Sequence, residues 1–192
     1  IYVDQVAGPC VGAGYPVANE STTVGVTTDY TCTRGTTFVQ GTLNGQVTVA
    51  AQDDIVITGD LTYTNGTNGN DVLGLVAGNN VWVYHPVRAD GTNLLPAASN
   101  IYNIQAAVLA LRHSFIVQNW NLGARLSTGT AATRLNITGS LAQKFRGPVG
   151  TGNGVTASTG YLKNYVYDSR LLNVQPPYFL QPVASPRSGE TL

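Results

Sequence analysis

Polar and apolar residues alternate in short bursts along the middle of this chain, and the bursts come in pairs. Gln46–Ala51 alternates side-chain character as a half-buried strand does. A polar step, Gln52-Asp53-Asp54, separates it from a second strand-like run, Ile55–Leu61. The pattern returns at Val72–Ala77, Gly78-Asn79-Asn80 and Val81–Tyr84. It returns again at Ala107–Leu111, Arg112-His113-Ser114 and Phe115–Val117, and more weakly at Thr133–Ala142. Aligning the polar corners makes Val49, Leu75 and Leu109 equivalent, 26 and 34 residues apart, and places Ile55, Val81 and Phe115 in a second column.

Such repeats predict an all-β fold, a short β-solenoid. One strand–corner–strand unit cannot bury its apolar face alone, whereas stacked units bury a continuous core. A three-residue polar connector also suits a hairpin, so an antiparallel β-sandwich stands as the alternative. Ile101, Ile104, Val108 and Leu111 have helical spacing, which allows a helical turn within 101–106 before the strand.

The flanks read differently. Residues 1–45 are broken by Gly, Pro and Asn into short β-like pieces, Thr22–Thr28 and Thr36–Gly41, and form an irregular N-terminal region. Residues 46–160 form the solenoid core, and 161–192 a C-terminal strand and cap. Tyr161–Asp168 alternates as a strand. Pro176-Pro177 cannot sit in a ladder, so the segment predicts a cap that packs Tyr178 and Phe179 over the end of the core.

Composition narrows the function classes. The chain has 192 residues, enough for one domain with a core, and only 10% are charged, with a formal net charge of +0. No basic surplus exists to neutralise phosphates, which argues against a nucleic-acid partner. The 22 glycines and 9 prolines disfavour a helical bundle, and a 43% hydrophobic content disfavours disorder. Stacked β architecture leaves little room for Lys or Glu, so the neutrality predicts dry, uncharged, weakly salt-sensitive contacts. Cys10 and Cys32, without His-rich or CxxC context, suit a disulfide and an oxidising, extracellular compartment better than a metal, with two buried thiols as the alternative. No apolar run reaches transmembrane length, and the start at Ile1 reads as a mature or excised part of a longer precursor.

Candidate chemistry is sparse. Asp53, Asp54 and Asp60, with Arg112, are the residues a solenoid lyase or hydrolase would use, but corner Asp residues ordinarily cap their own turns. Asn68-Gly69-Asn70-Asp71 looks like half of a calcium-binding β-roll repeat, which makes Asp71 a weak calcium candidate and no other cofactor expected. His85 and His113 lack zinc spacing and read as structural. Trp82, Tyr84, Tyr102 and Trp120 are candidate contacts for a glycan. No nucleophile motif is present, so no catalytic residue is assigned and a non-enzyme is expected.

Three stretches carry a resemblance: Gln46–Tyr63 with Asp71–Ala77 and Val81–Val87, then Leu141–Gly150, then Gly160–Tyr165 with Pro176–Val183. Over these the chain resembles exported surface proteins of actinobacteria and relatives that carry a prepilin-like N-terminus ahead of a β-solenoid-like ectodomain. The resemblance implies a structural or adhesive cell-surface domain, a minor pilin or filament subunit. Its implied partners are other pilus or surface subunits, including its own copies, and possible glycans, with membrane attachment only through an upstream segment. The alternative is a polysaccharide-binding or polysaccharide-degrading β-helix protein.

Overall fold

The computed structural model describes residues 1–5 and 34–179. In chain order its strands are β1 (Tyr2–Val3), β2 (Thr37–Leu43), β3 (Gln46–Ala51), β4 (Ile55–Tyr63), β5 (Val72–Ala77), β6 (Val81–Val83), β7 (Asn103–Ala110), β8 (Phe115–Val117), β9 (Leu135–Gln143), β10 (Gly150–Gly152), β11 (Ala157–Gly160) and β12 (Lys163–Tyr167). The only helical pieces among the described residues are four single 3-10 turns, so the fold is all-β. Cys10 and Cys32, and the Thr22–Thr28 piece, lie outside the described residues.

The strands line up in three parallel ladders. The first holds β1, β3, β5 and the later halves of β7 and β9. The second holds the opening residues of β2 and β4, then β6 and β8. The third holds the later residues of β2 and β4, the opening halves of β7 and β9, and β12. From β3 onward the chain visits first, second and third ladder in that order, then returns to the first one strand further along. β10 and β11 stand apart as an antiparallel pair. The polar corners at 52–54, 78–80 and 112–114 therefore join strands of different ladders. The hairpin pairing that the sandwich alternative requires does not occur at them.

Burial follows the ladders. Ile55, Val81 and Phe115 pair in one column, as their spacing predicts, and Val56, Trp82, Ile116 and Ile57, Val83, Val117 pair beside them. All nine side chains are buried. The ladders also extend to both sides of residues 46–160: β1 and β2 pair into them before, and β12 after.

Three expectations need correction. The interior column of the first ladder is Val49, Leu75 and Val108, followed by Leu141, and not Leu109. Leu109 pairs with the outward Val76 and is half-buried. The cause is corner length. Ala51 and Ala77 are followed by three connecting residues, whereas Ala110 is followed by four, because Leu111 is 46% exposed and belongs to the corner. A one-residue slip exchanges the faces of a strand. Second, 103–106 is strand and not helical turn: Asn103–Ala106 pairs with Asn136–Gly139. Ile104, Ala106, Val108 and Ala110 are buried with the period of a strand. Third, Tyr178 is 98% exposed. Its neighbours Pro176 and Phe179 lie against Gly74, and Thr48 donates its hydroxyl to the Pro177 carbonyl. The segment runs along the outer side of the first ladder because Gly74 leaves a notch there: a Cβ at 74 would stand 2.8 Å from both Pro176 and Phe179.

Candidate functional site

The polar corner between the first and second ladders collects more of the named residues than any other place. Each level hydrogen-bonds to the next through its backbone: Asn79 N–H to the Asp53 carbonyl (2.9 Å), His113 N–H to Asn79 (3.3 Å) and Lys144 N–H to His113 (3.0 Å). Side chains repeat the linkage. The Asp54 carboxylate accepts from Asn80 N–H at 2.8 Å, and the Asn80 side-chain oxygen accepts from Ser114 N–H at 3.2 Å. Each is a turn side chain satisfying the N–H of the following level. Down the stack the corner thus runs from Asp53 and Asp54, through Asn79 and Asn80, to Arg112 and His113, and then to Lys144 and Arg146.

Burial pushes the Asp54 pKa upward, the Asn80 backbone donor opposes that, and the neighbouring Asp53 charge adds to the rise. The Trp82 indole N–H also favours the Asp54 carboxylate, although it makes no hydrogen bond of regular geometry. Arg112 lies across three levels. Its Nε donates to the Gly78 carbonyl at 2.7 Å and its Nη2 to the Gln52 carbonyl at 3.2 Å. Gly78 is obligatory here, since a Cβ would lie 1.9 Å from the Gln52 oxygen. Arg112 is therefore spent on corner carbonyls.

Asp60 is elsewhere. Its Oδ1 accepts from Tyr102 N–H (2.7 Å) and Asn103 N–H (3.0 Å), and its Oδ2 from the Asn103 amide (2.8 Å). Asn103 pairs with Asn136 in the ladder and Asn136 with Asn164, and the Asn164 amide donates to Asn136 Oδ1 at 3.0 Å. This is a second polar stack, which the sequence signalled only through Asn recurring near the start of three strands. The structure thus brings Asp53, Asp54 and Arg112 to one corner and places Asp60 on another.

Asp71 is 3% exposed and clamps two turns, accepting from Gly45 N–H at 2.6 Å and Asn65 N–H at 3.2 Å. The Gly45 donor in particular holds its pKa below the usual carboxylate range. Each oxygen accepts from a backbone N–H, so the carboxylate serves as a clamp between the two turns. Among the described residues no three His, Cys, Asp or Glu side chains converge.

The four aromatics do not form an open platform. Trp82 and Tyr84 are buried in the core, where burial pushes the Tyr84 hydroxyl up to about 12. Tyr102 and Trp120 are half-buried, and Tyr102 meets the buried Tyr161 edge-on at 6.1 Å. Exposed aromatics lie elsewhere, among them Tyr165 and Tyr167 on β12, Phe145 and Tyr2. His85 is buried, with Nδ1 3.1 Å from the Gln118 carbonyl and Nε2 3.3 Å from Asn93 Oδ1, and burial lowers its pKa. His113 is exposed beside Phe145.

Sequence reading missed two further features. Arg170 forms an ion pair with Asp168 at 2.6 Å and donates to the Gly69 and Asp71 carbonyls, tying the segment after β12 back to the turn before β5. Burial pushes Asp168 upward, but the Arg170 hydrogen bonds outweigh it and hold the carboxyl below its usual range. A cleft of about 540 Å³ opens beside Gly147–Gly152, with Arg146 and Lys163 on its walls and no carboxylate. No helix among the described residues is long and apolar enough to cross a membrane. Comparison with family models, with curated proteins and with solved structures finds no match to this chain.

Proposed function

We propose that this chain is a short β-solenoid with a structural and adhesive role on a bacterial cell surface, as a subunit or tip component of a pilus-like filament. The observation that carries the reading is the repeated passage through three parallel ladders. Each level supplies its own interior residues and each corner hydrogen-bonds to the next. Such stacking gives a stiff scaffold whose side faces can carry contacts. The engagement of Arg112, Asp54, Asp60 and Asp71 in backbone hydrogen bonds supports a non-enzymatic role.

Protease shaving of intact cells that express the protein, followed by electron microscopy with an antibody to this domain, tests the reading. Release of the domain by external protease and labelling of filaments are expected. Retention inside the cell would overturn it. Turnover of an acidic polysaccharide, lost on Asp53→Ala, Asp54→Ala, Asp60→Ala and Arg112→Ala together, would replace it with the enzymatic alternative.

A further inference from the structure

The cleft beside Gly147–Gly152, at about 540 Å³, falls within the range of small-ligand sites, about 300–1,000 Å³. It opens where the last level of the stack is interrupted. Pro148 lies beside β8 and accepts from Val117 N–H at 3.1 Å, while Leu162 lies beside the start of β9 and accepts from Leu135 N–H at 2.9 Å. Between these two anchored points the chain leaves the ladders as the β10–β11 hairpin. It bounds a hollow there and does not fill it.

The walls combine two surfaces. Val149, Tyr161 and Leu162 are buried, between 3% and 8% exposed, and give the cleft an apolar lining. Gly147 and Gly150 press their backbone against neighbouring chain, where a Cβ would stand 2.0 Å from the Phe115 oxygen and 2.5 Å from the Thr159 oxygen, so this wall is main chain. Arg146 and Lys163 line the cleft as exposed side chains. The fold does not neutralise these two cations. Arg112 is engaged by corner carbonyls and Arg170 by Asp168, whereas Arg146 and Lys163 form no ion pair among the described residues. Asp168, already paired, is the only carboxylate between residues 91 and 179. Tyr165 places the two cations in one neighbourhood. The Lys163 ammonium stands 5.7 Å from its ring centroid, and the Arg146 charge opposes the rise to about 12 that desolvation imposes on its hydroxyl.

We propose that this cleft binds a carboxylated sugar, a uronate unit of an acidic polysaccharide. The inference rests on the adhesive part of the surface reading and names what is adhered to. A uronate ring carries a carboxylate at one edge and an apolar C–H face. The Arg146 guanidinium matches a carboxylate with two parallel N–H donors, and the Lys163 ammonium adds a point charge. Val149, Tyr161 and Leu162 meet the C–H face, as apolar and aromatic linings do in small-ligand sites. A simple phosphate would use the charges and leave the apolar lining bare. A nucleic acid would need a broader cationic surface than this neutral chain has.

Isothermal titration calorimetry of the whole chain with oligomers of galacturonate, of mannuronate and of hyaluronan tests the proposal, with their methyl esters and inorganic phosphate as comparison probes. Binding of at least one acidic oligomer is expected, weakened about tenfold or more by esterification and by the variant R146E/K163E. The variant R88E/K144E makes the same change in net charge at exposed residues outside the cleft, and is expected to bind as the wild-type chain does. Circular dichroism checks that each variant is folded, and R146Q/K163Q, which removes the two charges without reversing them, is expected to bind with intermediate affinity. Equal losses in R146E/K163E and R88E/K144E, equal affinity for the esters, or phosphate bound as tightly as the oligomers would overturn the proposal. Absence of binding to all three acidic oligomers would overturn it too, and leaves surface location to the shaving experiment.

Discussion

Which of Val108 and Leu109 faces the interior decides how the third level of the stack sits on the second, and truncation distinguishes them. Val108 is 1% exposed and pairs with Leu75 on one side and Leu141 on the other. Val108→Ala removes two carbons from this column. At about 0.8 kcal/mol per buried CH₂, plus a residual cavity between two fixed levels, the loss is about 2 kcal/mol. Leu109→Ala removes three carbons, but from a half-buried outward side chain, and the expected loss is below about 1 kcal/mol. Val76→Ala is the control, because Val76 is the outward neighbour of Leu109 and undergoes the same chemical change as Val108. It subtracts the intrinsic strand preference of Val over Ala. Urea unfolding followed by circular dichroism reads the difference. With a slope of about 2 kcal/mol/M, Val108→Ala lowers the midpoint by about 1 M and the other two by less than half of that. The argument is refuted if Leu109→Ala costs as much as Val108→Ala, since the larger side chain would then be the interior one.

Other outcomes follow from the corners and the buried titrating groups. Gly78→Ala forces a Cβ to 1.9 Å from a backbone oxygen that no rotamer change relieves, so it is expected to unfold or severely destabilise the chain in a thermal melt. Gly91→Ala, at φ +86° with nothing within 4 Å, is expected to cost only about 1–2 kcal/mol of backbone strain. Asp54 has a pKa raised by burial, so the folded state binds its proton more tightly than the unfolded state. Stability linked to it falls as pH rises through the carboxylate range, and Asp54→Asn is expected to stabilise at neutral pH with a gain that vanishes in acid. His85 has a pKa lowered by burial, so its linked stability is complete above the unfolded imidazole pKa and is lost as pH falls below about 6.5. Denaturant midpoints at pH 7 and pH 5 are expected to differ more for the wild-type chain than for His85→Gln.

Legibility in the sequence varied with how local the cause was. The column of Ile55, Val81 and Phe115 was readable because each follows a polar corner and each opens a three-residue run that is buried throughout. The column before the corners was readable only for Val49 and Leu75. Leu111 is apolar yet belongs to the corner, and hydrophobicity alone assigned it to the strand. The helical spacing of Ile101, Ile104 and Val108 had the same origin: each side chain is buried, but Ile104 and Val108 are strand neighbours of period two with Ala106 between them. Small residues carry little weight in a periodicity and much in a packed column. The chemistry of Asp60 and Arg112 was beyond reach for a different reason. Their partners are carbonyls and N–H groups 34 to 60 residues away, brought near only when the levels stack.

Charge tells how far such stacking changes the meaning of a composition. Counted over the chain, ten cationic and ten anionic side chains cancel and suggest contacts indifferent to salt. Along the corner between the first and second ladders, where sequence order is also spatial order, charged residues form a column with two signs. The strands of the first ladder make this unavoidable, because β1 through β9 occupy successive places along one axis. A fold that interleaved distant strands would have mixed Asp53 and Asp54 with Arg112 and Lys144 at one level. Here Asn79 and Asn80 stand between them, and the corner becomes a graded column. Reversing the gradient's end at Lys144, Arg146 and Lys163 leaves the interior columns untouched, since all three side chains are exposed. The variant K144E/R146E/K163E is therefore expected to keep a urea midpoint close to that of the wild-type chain, as exposed substitutions away from caps and cores ordinarily do, and a large loss of stability would refute this placement of the three side chains.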